Sequence, residues 1–189
     1  MSDKVFIFQG MCYSGKSTLG KITADSLGLP FLDSRDLFFK VHGVSEIEYL
    51  TKYGREKFIE AEKKSLYHDF EGVFSLGGSA VYYPEEMQML QKKYNIIWLN
   101  VDYNVIRLRK EREAKERPIV YPDGIETFEQ LYKQRKELYE NYYHYKIHVT
   151  EDEPIKKTAQ KILISLVNDK KKHINYQDHM HKKVIEYNV

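Results

Sequence analysis

"VFIFQGMCYSGKST", Val5 to Thr18, carries the reading from which the fold follows. Four apolar residues, Val5–Phe8, run into Gly10, and four residues further on comes Gly15-Lys16-Ser17. A buried strand ending in such a loop turns successive backbone N–H groups toward one anion. Gly10 and Gly15 permit the tight turn, Tyr13 and Ser14 complete it, and Lys16 brings a point charge to the β- and γ-phosphates. The Ser17 hydroxyl suits Mg²⁺, Thr18 follows it, and the helix from Gly15 aims its positive end at the same place. Tyr13 stands where many such loops carry another glycine, so a loop that is stiffer or partly capped by the ring is expected.

Outward from that loop, short apolar runs alternate with segments of helical period. The runs are Val5–Phe8, Pro30–Asp33, Val73–Gly78, Asn95–Val101 and Lys146–Thr150. Helices are predicted over Gly15–Leu27, Glu46–Phe70, Glu126–Tyr143 and Pro154–Val167. Consecutive apolar positions mark strands covered on both faces, and the alternation predicts an α/β fold with a parallel sheet. Ligands then belong at the strands' carboxyl ends, where the loop lies.

The 189 residues suit one domain over residues 1–167 and a polar, basic tail over 168–189, in which His173, His179 and His181 are solvated rather than metal-bound. A net charge of +2 argues against a nucleic-acid partner. The one cysteine, Cys12, precludes an internal disulfide. No run approaches a membrane span, and no signal peptide is apparent, so a cytoplasmic protein is expected, monomeric or weakly oligomeric. "NYYHYK", Asn141–Lys146, has the composition of a base-stacking platform, but its place before the last strand favours packing.

From "PFLDS" onward the order of motifs resembles the shikimate kinase family. "FLDSRD" lies where that family has a D-x-D on its second strand, "YGREKFIEAE" resembles its G-E-x-x-F-R-x-x-E helix, and "LGGSA" its glycine triplet. "ERPIV" resembles the lid, "QRKELYE" the helix with a second carboxylate-binding arginine, and "TEDEP" the loop over adenine. The resemblance implies a three-layer α/β/α fold with sheet order 2-3-1-4-5, and transfer of the ATP γ-phosphoryl group to a hydroxyl of shikimate. ATP and Mg²⁺ are the implied cofactors. Lys16, Asp33 and Arg117 (in a lid near residues 111–125) become the catalytic candidates, Ser17 and Asp33 the metal ligands, and Pro154 the adenine edge.

The acceptor side departs from the family. Of the substrate candidates Asp33, Arg35, Ile59, Gly77, Gly78, Ser79 and Arg135, three differ. Arg35 replaces the second acid, Ile59 the helix arginine, and Ser79 the third glycine. Arg135 matches, and it interrupts the apolar series Leu131, Leu138, Tyr142, where a guanidinium needs an anion or hydrogen-bonding partners. Arg35 and Arg55 are either relocated acceptor charges or solvated surface residues; Arg55 shares a helical stripe with Ile59, Glu62 and Leu66. Asp33 is preferred as the group orienting the acceptor hydroxyl, and Asp36 reads as a helix cap. An anionic small-molecule acceptor is expected. The alternatives are another hydroxy acid, a sugar acid or a nucleoside monophosphate in the same fold, or an ATP-binding regulatory protein without transfer.

Overall fold

The computed structural model describes residues 5–113, 119 and 121–172. Five parallel strands form the sheet: β1 (Phe6–Gln9), β2 (Phe31–Asp33), β3 (Val73–Ser75), β4 (Asn95–Val101) and β5 (Tyr145–Val149). Their order is β2-β3-β1-β4-β5, as expected. Helices α1 (Lys16–Leu27), α2 (Ser34–His42), α3 (Glu46–Ser65), α4 (Pro84–Lys93), α5 (Tyr103–Arg112), α6 (Phe128–Tyr139) and α7 (Ile155–Lys172) connect and cover them. The period-2 geometry of β1 divides the core: Phe6 and Phe8 enter one apolar cluster, Val5 and Ile7 the other. Leu19, Ile106, Ile147, Ile162 and Leu166 fill the first, while Phe74, Leu76, Met87, Leu90 and Trp98 fill the second.

Several bounds differ from the sequence expectation, each for a tertiary reason. Helix α3 stops at Ser65 rather than Phe70, because Phe70 turns in and stacks on Phe74 with ring centroids 4.0 Å apart. The α6 helix starts at Phe128, after a capping box of Thr127 and Gln130, and ends at Tyr139, so that Tyr142 enters the core. At the other end α7 continues past Val167 to Lys172. The Asn141–Lys146 aromatics serve packing, with Tyr143 beside Trp98 at 5.6 Å and Lys146 Nζ 4.4 Å from the Trp98 ring centroid. No helix among the described residues is long and apolar enough to cross a membrane.

Within α3, Gly54 interrupts the helix at φ 81°, ψ 171°, a conformation open essentially to glycine. The kink gives α3 two arms, the first presenting Glu46, Ile47 and Leu50 to the central cleft and the second Phe58 and Glu62. A Gly54→Ala protein is expected to lose about 1–3 kcal/mol of stability, read as a lower urea midpoint at unchanged m-value.

Candidate active site

The loop after β1 has the geometry of an anion cradle. Gly10 adopts φ 142°, and a Cβ there would lie 2.9 Å from the Leu99 carbonyl, so the close turn requires glycine. Gly15 caps α1 at φ 92° and has no side chain to satisfy the first amides, which leaves that end suited to phosphate. Lys16 Nζ folds back on the Gly10 and Met11 carbonyls at 2.8 and 3.0 Å, holding its charge in the loop's mouth. Ser14 Oγ is buried without a hydrogen-bond partner among the described residues, a donor placed for a ligand oxygen. Tyr13 does not cap the loop. Its backbone is left-handed, at φ 63°, and its buried ring points into the core, edge-on to Phe128 at 6.1 Å.

Beyond the loop, Ser17 Oγ donates to Asp33 Oδ2 at 2.5 Å. The pair supplies two hard oxygen donors beside the phosphate cradle, the type of site at which Mg²⁺ keeps most of its waters. Among the described residues no cluster of three His, Cys, Asp or Glu offers a full protein cage, which a phosphate-bridged Mg²⁺ does not need. Asp33 also caps α2, accepting the Arg35 amide at 3.1 Å, so Asp33 rather than Asp36 is the capping acid. Arg35 Nε donates to Asp33 Oδ1 at 3.1 Å, and its Nη2 lies 3.5 Å from Ser17 Oγ. Burial pushes the Asp33 carboxyl up, but the hydrogen bonds from Ser17 and Arg35, with the Arg35 charge, bring it below its ordinary value. Asp33 is thus ionised at neutral pH, as a cation ligand must be.

One cleft joins this cradle to Ser75–Ser79, the kinked α3 and Arg135. Tyr139 donates to the Gly78 carbonyl at 2.9 Å, and a Cβ on Gly78 would sit 3.0 Å from an Arg135 terminal nitrogen. The buried Arg135 lies over the Tyr82 ring at 5.2 Å, with Nε donating to Tyr82 Oη at 3.4 Å. Glu62 accepts from Ser79 Oγ at 2.7 Å and Tyr83 Oη at 2.6 Å. Burial pushes its carboxyl up against the pull of those two bonds and of Arg135. A Tyr83→Phe protein leaves one Glu62 oxygen without its donor; a stability loss of about 1–3 kcal/mol is expected by denaturant unfolding.

A phosphate cradle at a strand end, a carboxylate–hydroxyl pair beside it and an arginine-bearing cleft opposite describe a small-molecule kinase. A family model described as shikimate kinase matches residues 13–167. The chain belongs to the shikimate kinase family. The shikimate kinase of Prochlorococcus marinus (strain NATL2A) is 33% identical over 136 residues, covering 69% of this chain and 67% of that protein. That of Sulfurihydrogenibium sp. (strain YO3AOP1) is 32% identical over 133 residues, covering 69% and 79%. The solved shikimate kinase from Bacteroides thetaiotaomicron superposes with TM-score 0.71 at 26% identity, over 86% of this chain and 98% of that one. The shikimate kinase from Acinetobacter baumannii in complex with shikimate shares the fold, with TM-score 0.75 at 24% identity over 88% and 94% of the two chains. As a member of the family, the chain is an ATP-dependent small-molecule kinase.

Set within that family, the expected site residues sort unevenly. Lys16, Ser17, Asp33, Arg35, Gly77, Gly78, Ser79 and Arg135 line one cleft. Ile59 does not: its side chain packs against the second apolar cluster, and its neighbours Phe58 and Glu62 take the wall. Arg55 also lies off the cleft wall, its Nη1 meeting Asp123 Oδ1 at 2.7 Å across an exposed surface. Arg117 lies outside the described residues, as do His173, His179 and His181. Pro154 is exposed at the start of α7, after Asp152, which pairs with Arg109 at 3.2 Å and with Arg112.

Arg109 is a residue that the sequence reading missed. From α5 its Nη1 reaches the Ser14 carbonyl at 3.3 Å, tying the phosphate loop to the β5–α7 loop that carries Pro154. Among the arginines of "RLRKER" no local signal separates Arg109 from Arg107, which pairs along its own helix with Glu111. Glu46 was missed too, because it reads as an ordinary acid in the first turn of a helix. In the fold it lines the cleft, where burial first, and then the Glu62 charge, push its carboxyl up to about 7.

Proposed function

We propose that this chain transfers the γ-phosphoryl group of MgATP to a hydroxyl of shikimate. The observation that carries the reading is the family match across residues 13–167, together with a cleft that joins the phosphate cradle to Arg135. Lys16, released from the Gly10 and Met11 carbonyls, would meet the β- and γ-phosphates, while the loop amides and Ser14 Oγ satisfy phosphate oxygens. Ser17 and Asp33 would hold Mg²⁺, which when bound neutralises charge on the transferred group. Asp33 then orients the acceptor hydroxyl; its lowered proton affinity suits positioning better than strong-base chemistry. Arg135 is the guanidinium that would take the acceptor carboxylate, ideally by two parallel hydrogen bonds. Arg117 would close over the phosphates from the lid.

A second reading, transfer to a different small hydroxy acid or sugar acid, is favoured by one observation. Arg35 is engaged with Asp33 and Ser17, and Arg55 with Asp123, so neither adds a second cation beside Arg135. The deciding experiment is a coupled ADP-release assay with MgATP, with and without shikimate. Shikimate-dependent release that is lost in Lys16→Ala supports the first reading. Release only with another hydroxy acid from a panel supports the second, and ATP binding without transfer to any of them refutes both.

A further inference from the structure

Among the described residues three carboxylates line the cleft: Asp33, Glu46 and Glu62. Asp33 is committed to Ser17 and Arg35, and Glu62 to Ser79 and Tyr83. Glu46 alone of the three has no hydrogen bond or ion pair among the described residues. It is not needed as a cap, because Ser45 and Glu48 close the capping box at the start of α3. The charged groups facing it are Glu62 from its own helix, and Arg35 and Asp33 from the β2–α2 junction, with the two carboxylates opposing its ionisation. Ile47, Leu50 and Phe58 line the same cleft and offer no side-chain donor. Its side chain is part-exposed to the cleft, so its oxygens are open to a donor brought by a ligand.

A hydroxylated acceptor brings such donors. Each of its hydroxyls needs an acceptor atom, and the guanidinium of Arg35 has none to give. We propose that Glu46 is the specificity-determining carboxylate of this chain, accepting the acceptor's hydroxyl hydrogen bonds while Arg135 holds its anionic group. This rests on the reading of the cleft as a hydroxy-acid kinase site. It assigns to the first arm of α3 a role that the sequence around Arg35 had left unfilled.

The test compares the full chain with Glu46→Gln and Glu46→Ala, at pH 8. In the ADP-release assay with shikimate, Glu46→Gln raises the acceptor KM at least tenfold and leaves the MgATP KM within twofold. The ligand-free melting temperature of Glu46→Gln equals or exceeds that of the wild type, since a part-buried carboxylate opposed by Glu62 and Asp33 has been removed. An unchanged acceptor KM in an active wild type overturns the proposal. So does a fall in the ligand-free melting temperature, which would make Glu46 a structural partner. A wild type inactive with shikimate refutes shikimate as acceptor; the melting comparison still decides on Glu46, a rise supporting the proposal and a fall overturning it.

Discussion

Lys16→Ala is expected to reduce acceptor-dependent ADP release by on the order of 10²–10³-fold, with the fold preserved. Phosphoryl transfer depends on neutralising charge that spreads over the phosphate oxygens, and Lys16 is the cation in the loop's mouth. Its Nζ bonds to the loop carbonyls of Gly10 at 2.8 Å and Met11 at 3.0 Å. The effect should fall on kcat more than on the MgATP KM, because the loop amides and the α1 terminus still bind phosphate. Circular dichroism and melting temperature check the fold, and steady-state kinetics check the split. A variant that retains more than a tenth of wild-type kcat would contradict the assignment.

Arg135→Met is expected to raise the acceptor KM by on the order of 10²-fold, and Arg135→Lys by about tenfold. Methionine keeps much of the volume over Tyr82 but removes the charge, while lysine keeps the charge but not the planar fork. Stability should change little, because Arg135 forms no ion pair among the described residues. Glu62 keeps its two hydroxyl donors, Ser79 and Tyr83, when Arg135 is gone. The desolvation cost of the buried guanidinium disappears at the same time. Unfolding in urea is therefore expected to shift by less than about 2 kcal/mol for Arg135→Met. An acceptor KM within threefold of wild type would remove Arg135 from the binding site.

The pH dependence of stability carries a recognisable contribution from Glu46. Its carboxyl sits at about 7 in the folded chain against an ordinary value of 4.5, so the folded state binds this proton more tightly than the unfolded one. The native state is therefore relatively favoured at low pH, and that advantage is lost as pH rises from about 4.5 to 7. Asp33 acts in the opposite sense, its depressed value contributing stability above the ordinary carboxylate range and losing it on acidification. Glu46→Gln should flatten the decline between pH 5 and 7 and leave the acid limb intact.

The layer architecture and the phosphate cradle were legible in the sequence because they rest on short-range rules. Apolar runs of strand length, helical periods between them and glycines at a fixed spacing read the same in any tertiary context. So did β4, whose observed limits Asn95–Val101 coincide with its apolar run. The acceptor side was legible only as a set of differences from a pattern. What Arg35, Arg55, Ile59 and Glu46 do depends on where the β2–α2 turn and the kink at Gly54 aim them. Sequence spacing placed Arg55 and Ile59 on one stripe with Glu62, but a helical stripe is broad enough to straddle a wall. In the fold only Glu62 of these three faces the cleft, while Ile59 enters the core and Arg55 pairs with Asp123.

By itself, then, the sequence determined the parallel α/β sheet and its phosphate loop, since both follow from local geometry and residue type, while the class of chemistry rested on the order of motifs that resembles the shikimate kinase family. Only the tertiary structure decided which charges are spent on one another and which remain for a substrate. That is a question of hydrogen-bond partners brought together from distant segments. Asp33 goes to Ser17 and Arg35, Glu62 to Ser79 and Tyr83, and Glu46 is left facing the cleft.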